Sequence, residues 1–111
     1  MPEVPELTPL EVAQRWPQGR DGSAVLMLDV REHDEIQRAA IPGAHHIPMG
    51  EVPARLDELP KDKPIVVFCK AGGRSRRVAQ ILAEHGFDQV FNLDGGIDAW
   101  SRTLDSTVPR Y

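Results

Sequence analysis

Hydrophobic residues in this chain of 111 residues fall into short runs that alternate with helical patterns and turns. Residues 24–28, 65–68 and 90–93 are short runs of mainly apolar residues bounded by polar or turn residues, and residues 45–48 follow a turn. Continuous apolar runs of this length are typical of strands that are covered on both faces. The pattern therefore predicts at least four short strands, two of which are buried in the middle of a sheet.

Helical patterns lie between these runs. Thr8 and Glu11 form a capping box, with Pro9 at the first helical position, for a helix that ends near residue 16. The later helices are predicted over residues 31–38, 51–59, 75–84 and 97–102. Strands that alternate with helices predict a single α/β domain over residues 1–111, with a central parallel sheet of about five strands and helices on both faces.

Composition and charge narrow the possible functions. A hydrophobic share of 41% is enough to build one compact core, and a net charge of −4 gives no electrostatic reason to bind nucleic acid or an anionic membrane. No apolar window is long enough to cross a bilayer. One cysteine cannot form an internal disulfide, and the first residues lack a signal-peptide pattern, so we expect a cytoplasmic protein.

The only cysteine, Cys69, lies where the apolar run 65–68 gives way to a helix. Two glycines in the turn can expose main-chain N–H groups, the helix adds the positive end of its dipole, and Arg74 adds a fixed charge. These effects favour a thiolate, and Lys70, Arg76 and Arg77 extend a cationic rim. The sequence predicts a reactive cysteine in a partly exposed, electropositive pocket at the carboxyl end of a strand.

Residues 69–75, the Cys69 loop, resemble the active-site loop of rhodanese-type sulfurtransferases. Residues 28–32, 41–48 and 95–100 resemble three other blocks of that family, in the family's order and across nearly the whole chain. One departure is Ala39-Ala40, where family members commonly have Gly-His, and it puts in doubt any hydrogen bond of that histidine. The chain is thus similar to a rhodanese-like single-domain sulfurtransferase.

The resemblance implies that Cys69 is the catalytic nucleophile. It would take a sulfane sulfur from a small anionic donor such as thiosulfate and pass it, as a persulfide, to cyanide, a thiol or a protein. Arg74 and its neighbours would hold the donor's charge, and no metal or organic cofactor is implied. The residues expected to bind the transferred sulfur and the donor are Lys70, Ala71, Gly72, Gly73, Arg74 and Ser75.

A second interpretation is a protein-docking relay module that delivers persulfide sulfur to a sulfur-carrier protein, with little turnover of small molecules. Residues 104–111 resemble the ending of rhodanese domains fused to adenylyltransferases of molybdopterin and thiamine biosynthesis, which feed sulfur to a carrier protein. The adenylyltransferase would then act in trans. Strong turnover of small donors and acceptors would favour the enzyme, and acceleration by a protein partner would favour the relay.

Other interpretations fit less well. The related cell-cycle phosphatases and arsenate reductases carry one more residue between cysteine and arginine than the four found here, and a phosphate needs that wider ring. A redox sensor lacks a resolving cysteine, and scattered histidines beside one cysteine do not supply a structural zinc site. Asp29 and Arg31 are expected to brace adjacent loops as a buried ion pair, and Trp100 to anchor the core.

Overall fold

A computed structural model describes residues 3–111, in which five strands form one sheet with all neighbouring strands parallel. The strands are β1 (Glu6–Leu7), β2 (Leu26–Asp29), β3 (His45–His46), β4 (Ile65–Phe68) and β5 (Val90–Leu93). Their order across the sheet is β1-β5-β4-β2-β3, so the fully buried β4 lies in the middle. The predicted fold class is confirmed.

Helices cover both faces of this sheet. They are α1 (Pro9–Arg15), α2 (His33–Arg38), α3 (Gly73–Glu84) and α4 (Gly96–Thr103). Because side chains alternate along a strand, Val67 of β4 packs with α3 on one face, while Val66 and Phe68 pack with α1 and α4 on the other. The predicted capping box of α1 is present, and Trp100 is buried in the second of these cores as expected. No helix of residues 3–111 is long and apolar enough to span a membrane.

Two elements differ from the sequence prediction. The helix predicted over residues 51–59 is a 3-10 segment, Met49–Glu58, interrupted by non-helical dihedral angles at Arg55. Pro53 lies inside it and has no N–H to donate, which removes one α-helical hydrogen bond. Strand β1 was not predicted, because two residues are too few to show a period-two pattern.

Candidate active site around Cys69

The backbone of the Cys69 loop is fixed by the helix that follows the neighbouring strand. Cys69 comes directly after β4, and its carbonyl oxygen accepts a hydrogen bond of 2.9 Å from the N–H of Ile97 in α4. The next carbonyl, of Lys70, accepts one of 3.1 Å from Asp98. Gly96 has a φ of +61°, and a Cβ there would overlap both of these carbonyl oxygens. A glycine is therefore required where α4 meets the loop.

The sulfur of Cys69 faces the first turn of α3. The N–H of Gly72 donates to Sγ over 3.1 Å, and the hydroxyl oxygen of Ser75 lies 3.4 Å from Sγ. Gly72 has a φ of +115°, a left-handed conformation that a glycine adopts with least strain. This conformation and the start of α3 direct main-chain donors at a single sulfur atom, as the sequence predicts.

The environment of Cys69 shifts its pKa in two opposing ways. Burial raises the pKa of the thiol, while hydrogen bonds from the hydroxyl and amide of Ser75 and from the amides of Gly72 and Ala71 lower it, so that the pKa lies below its ordinary value. The residue is only 1% exposed, so the prediction of a partly exposed cysteine is wrong. Donors that point at the sulfur compensate for the loss of water and favour the thiolate.

A buried asparagine ties these donors together. The side-chain oxygen of Asn92 in β5 lies 2.5 Å from the hydroxyl of Ser75, and its amide nitrogen donates over 3.1 Å to the carbonyl of Gly72. The same nitrogen donates to the carboxylate of Glu6 in β1. Asn92 is fully buried, and sequence reasoning missed it as a site residue. The available signal was one polar side chain within a strand of otherwise apolar residues.

Two of the four residues of the cationic rim predicted around Cys69 are paired with carboxylates. Arg74 forms two hydrogen bonds, of 2.7 and 3.0 Å, with the carboxylate of Glu35 in α2. These bonds are the main reason that the pKa of Glu35 falls from 4.5 to about 2. Arg76 pairs with Glu6 over 2.8 Å. Sequence order shows no acidic residue beside these arginines, because α2 and β1 bring their carboxylates from distant parts of the chain.

A second group of charged side chains, centred on Arg31, adjoins the Arg74–Glu35 pair. Arg31 is fully buried and pairs with Asp29 over 2.7 Å, as the sequence predicts. It also donates to the hydroxyl of Tyr111, which in turn donates over 2.9 Å to Glu35. The ammonium of Lys70 lies 4.7 Å from the centre of the Tyr111 ring. The loops after β2 and β4 and the residues near the end of the chain thus share one network.

The structure therefore divides the predicted site residues into two groups. Main-chain or hydroxyl groups of Ala71, Gly72 and Ser75 surround the sulfur of Cys69, whereas the side chains of Lys70 and Arg74 reach Tyr111 and Glu35. Gly73 begins α3. Within residues 3–111, no group of three or more His, Cys, Asp or Glu residues is placed to hold a metal ion.

Comparison with known proteins agrees with this geometry. Residues 12–103 match the family described as "Rhodanese-like domain". This chain belongs to the rhodanese-like family. The rhodanese-like domain is 42% identical, over 82 residues, to a sulfurtransferase of Allochromatium vinosum, a match that spans 74% of this chain and 77% of that protein.

Two further relatives extend the comparison. A protein of Bacillus subtilis, named as a candidate sulfur carrier protein, YrkF, is 41% identical over 75 residues, which are 68% of this chain and 40% of that one. The crystal structure of a rhodanese-like domain protein from Staphylococcus aureus superimposes with a TM-score of 0.81 at 28% identity, covering 97% of this chain and 99% of that one. Sulfur transfer is the chemistry that these names support for the family.

Proposed function

We propose that this rhodanese-like domain is a thiosulfate sulfurtransferase that moves a sulfane sulfur, through a persulfide on Cys69, to cyanide, a thiol or a protein. The observation that supports this most is the 3.1 Å contact from the Gly72 N–H to Sγ, in a turn whose other donors also lower the pKa of the thiol. A lone thiolate held by neutral donors can attack a sulfur atom and then carry it. Because such a thiol must stay reduced, we place the activity in the cytoplasm.

The first half-reaction loads the sulfur. The Cys69 thiolate attacks the outer sulfur of thiosulfate, a new S–S bond forms as the donor's S–S bond breaks, and sulfite leaves with the bonding electron pair. The persulfide that results carries its negative charge on the terminal sulfur. Main-chain N–H groups of the Cys69 loop are available to stabilise that charge, as oxyanion-hole donors do for oxygen. Arg74, whose pKa is raised by Glu35 and by the nearby Cys69 thiolate, stays protonated beside the loop, with its charge offset by the Glu35 carboxylate.

The second half-reaction transfers the terminal sulfur from the persulfide to an acceptor. An acceptor such as cyanide attacks the terminal sulfur, the S–S bond of the persulfide breaks, and its electron pair returns to Cys69 as thiolate. Thiocyanate is the product when cyanide is the acceptor. Charge is conserved in both steps, and neither step requires an external oxidant or reductant.

Intact-mass measurement tests this proposal directly. After incubation with thiosulfate, the wild-type protein should gain the mass of one sulfur atom and lose it again on addition of cyanide. Cys69→Ser should gain nothing, and because Cys69 is the only cysteine, no other thiol can confuse the result. A wild-type protein that shows no added sulfur with thiosulfate or with an alkyl persulfide as donor would refute the proposal.

A second candidate function is the sulfur relay, which the likeness to the YrkF protein supports. In that case persulfide would form on Cys69, but turnover with cyanide would be slow until a sulfur-carrier protein accepted the sulfur. Steady-state rates with thiosulfate and cyanide, measured with and without a small carrier protein and its adenylyltransferase, separate the two. Acceleration by the carrier of tenfold or more, on the order expected for a docked acceptor, would favour the relay.

A further inference from the structure

The hydroxyl of Ser75 has one proton and three acceptors within reach. Its oxygen lies 2.5 Å from Oδ1 of Asn92, 3.2 Å from the carbonyl oxygen of Gly72 and 3.4 Å from Sγ of Cys69. A hydroxyl donates one hydrogen bond, and the shortest of these contacts has the length of a strong O–H···O bond. Donation to Asn92 therefore competes directly with donation to the sulfur.

The orientation of the Asn92 side chain is fixed by acceptors on its other side. Its amide nitrogen donates to both carboxylate oxygens of Glu6, over 3.1 and 3.2 Å, and to the carbonyl of Gly72 over 3.1 Å. A carboxylate and a carbonyl can only accept, so the NH₂ group must face them. Oδ1 must then face Ser75. Because Asn92 is fully buried, bulk water does not compete for these hydrogen bonds.

We propose that Asn92 is a positioning residue that draws the Ser75 proton away from Cys69. The thiolate is then held chiefly by main-chain N–H groups, with the Ser75 hydroxyl left as a weak donor at 3.4 Å, and it keeps more of its nucleophilicity than it would with a full hydroxyl hydrogen bond. Each added hydrogen bond makes a thiolate less basic, and a less basic thiolate is a weaker nucleophile. This inference rests on the proposed function of Cys69 as the reacting group, but it concerns the Cys69 thiol of the free protein, before a sulfur donor binds.

The rate of alkylation of Cys69 by iodoacetamide as a function of pH tests it. Ser75→Ala should raise the pKa of Cys69 by no more than about 0.3 units, since the hydroxyl that is lost donates mainly to Asn92. Asn92→Leu removes the nearest acceptor and leaves only the Gly72 carbonyl to compete with the sulfur, so more of the proton goes to the sulfur and the pKa of Cys69 should fall by about one unit. The limiting rate constant at high pH should then fall about threefold, as the dependence of thiolate reactivity on basicity requires.

The double variant Ser75→Ala/Asn92→Leu is the matched control, because it has no hydroxyl proton to redirect. Its alkylation profile should equal that of Ser75→Ala. A rise of about one unit in the pKa of Cys69 in Ser75→Ala would overturn the proposal. A fall in that pKa in Asn92→Leu that persists in the double variant would overturn it as well. If Asn92→Leu does not fold, Ser75→Ala alone decides. Sulfur loading from thiosulfate, measured separately by mass, reports on the proposed function independently.

Discussion

The sulfur of Cys69 and the guanidinium of Arg31 are both buried at the carboxyl ends of neighbouring strands, yet their partners are of opposite kinds. Uncharged amide and hydroxyl groups surround the sulfur. Arg31 meets the full negative charge of Asp29, with the Tyr111 hydroxyl and two carbonyl oxygens occupying its other donors. In the proposed function Cys69 reacts, and its donors leave its charge available, whereas the charge of Arg31, which braces loops, is fully compensated.

The largest expected effect on the free energy of unfolding comes from removing the guanidinium of Arg31, whose charge is compensated. Arg31→Met should lower the free energy of unfolding by about 4 kcal/mol, because the carboxylate of Asp29, only 2% exposed, is left buried without a countercharge and keeps only the N–H of residue 31 as a donor. Urea denaturation at pH 7 measures this loss. The matched control is Arg110→Met, since Arg110 pairs with Asp98 at the surface and its own side chain is 58% exposed. That variant should lose less than about 1 kcal/mol, and equal losses would contradict the distinction.

The second-largest expected effect comes from a change in the backbone that supports the Cys69 loop. Gly96→Ala should lower the free energy of unfolding by about 3 kcal/mol, because the new methyl group overlaps the carbonyl oxygens of Cys69 and Lys70 and the residue keeps a positive φ. Displacing those carbonyls should also move the Gly72 N–H away from the sulfur and raise the pKa of Cys69, which alkylation measures. Gly50→Ala, where a Cβ meets nothing within 4 Å, is the control and should leave both quantities unchanged.

Much of the fold follows from local sequence. The apolar run 65–68 is the buried strand that its short length and flanking turn residues predict, and the Thr8 capping box begins a helix where predicted. Polar residues at strand ends mark the edge of the sheet that carries the site. The 3-10 segment could not be predicted, since apolar residues at Val52 and Leu56 are compatible with either kind of helix. Its form depends on Pro53 and on packing against α3.

In the site, the sequence predicts the neighbours of Cys69 in the chain better than the residues that come from distant elements. Cys69 and the glycine of its turn are read from adjacent residues, and the sulfur and the Gly72 amide lie together as predicted. Glu35 lies 34 positions before Cys69 and Asn92 lies 23 positions after it, and both belong to other elements. Only the parallel order β5-β4-β2 brings them to the loop. No local pattern shows that Glu35 neutralises Arg74, so the sequence overstates the free positive charge.

The smallest expected effect lies in the ion pair that joins the two regions. Arg74 holds the pKa of Glu35 at about 2, against 4.5 in the unfolded chain. The pair therefore stabilises the fold fully above about pH 4.5 and loses this contribution as the pH falls toward 2. Because the Arg74 side chain is 37% exposed and screened by solvent, we expect a contribution of only about 1.5 kcal/mol.

Glu35→Gln measures that contribution, since it keeps the shape of the side chain and removes its charge. The variant should be about 1.5 kcal/mol less stable than wild type at pH 7, and urea midpoints of the two proteins should converge as the pH is lowered from 5 to 2. Other carboxyl groups titrate in both proteins and cancel in the difference. Curves that remain parallel would mean that the charge of Glu35 does not stabilise the fold through Arg74.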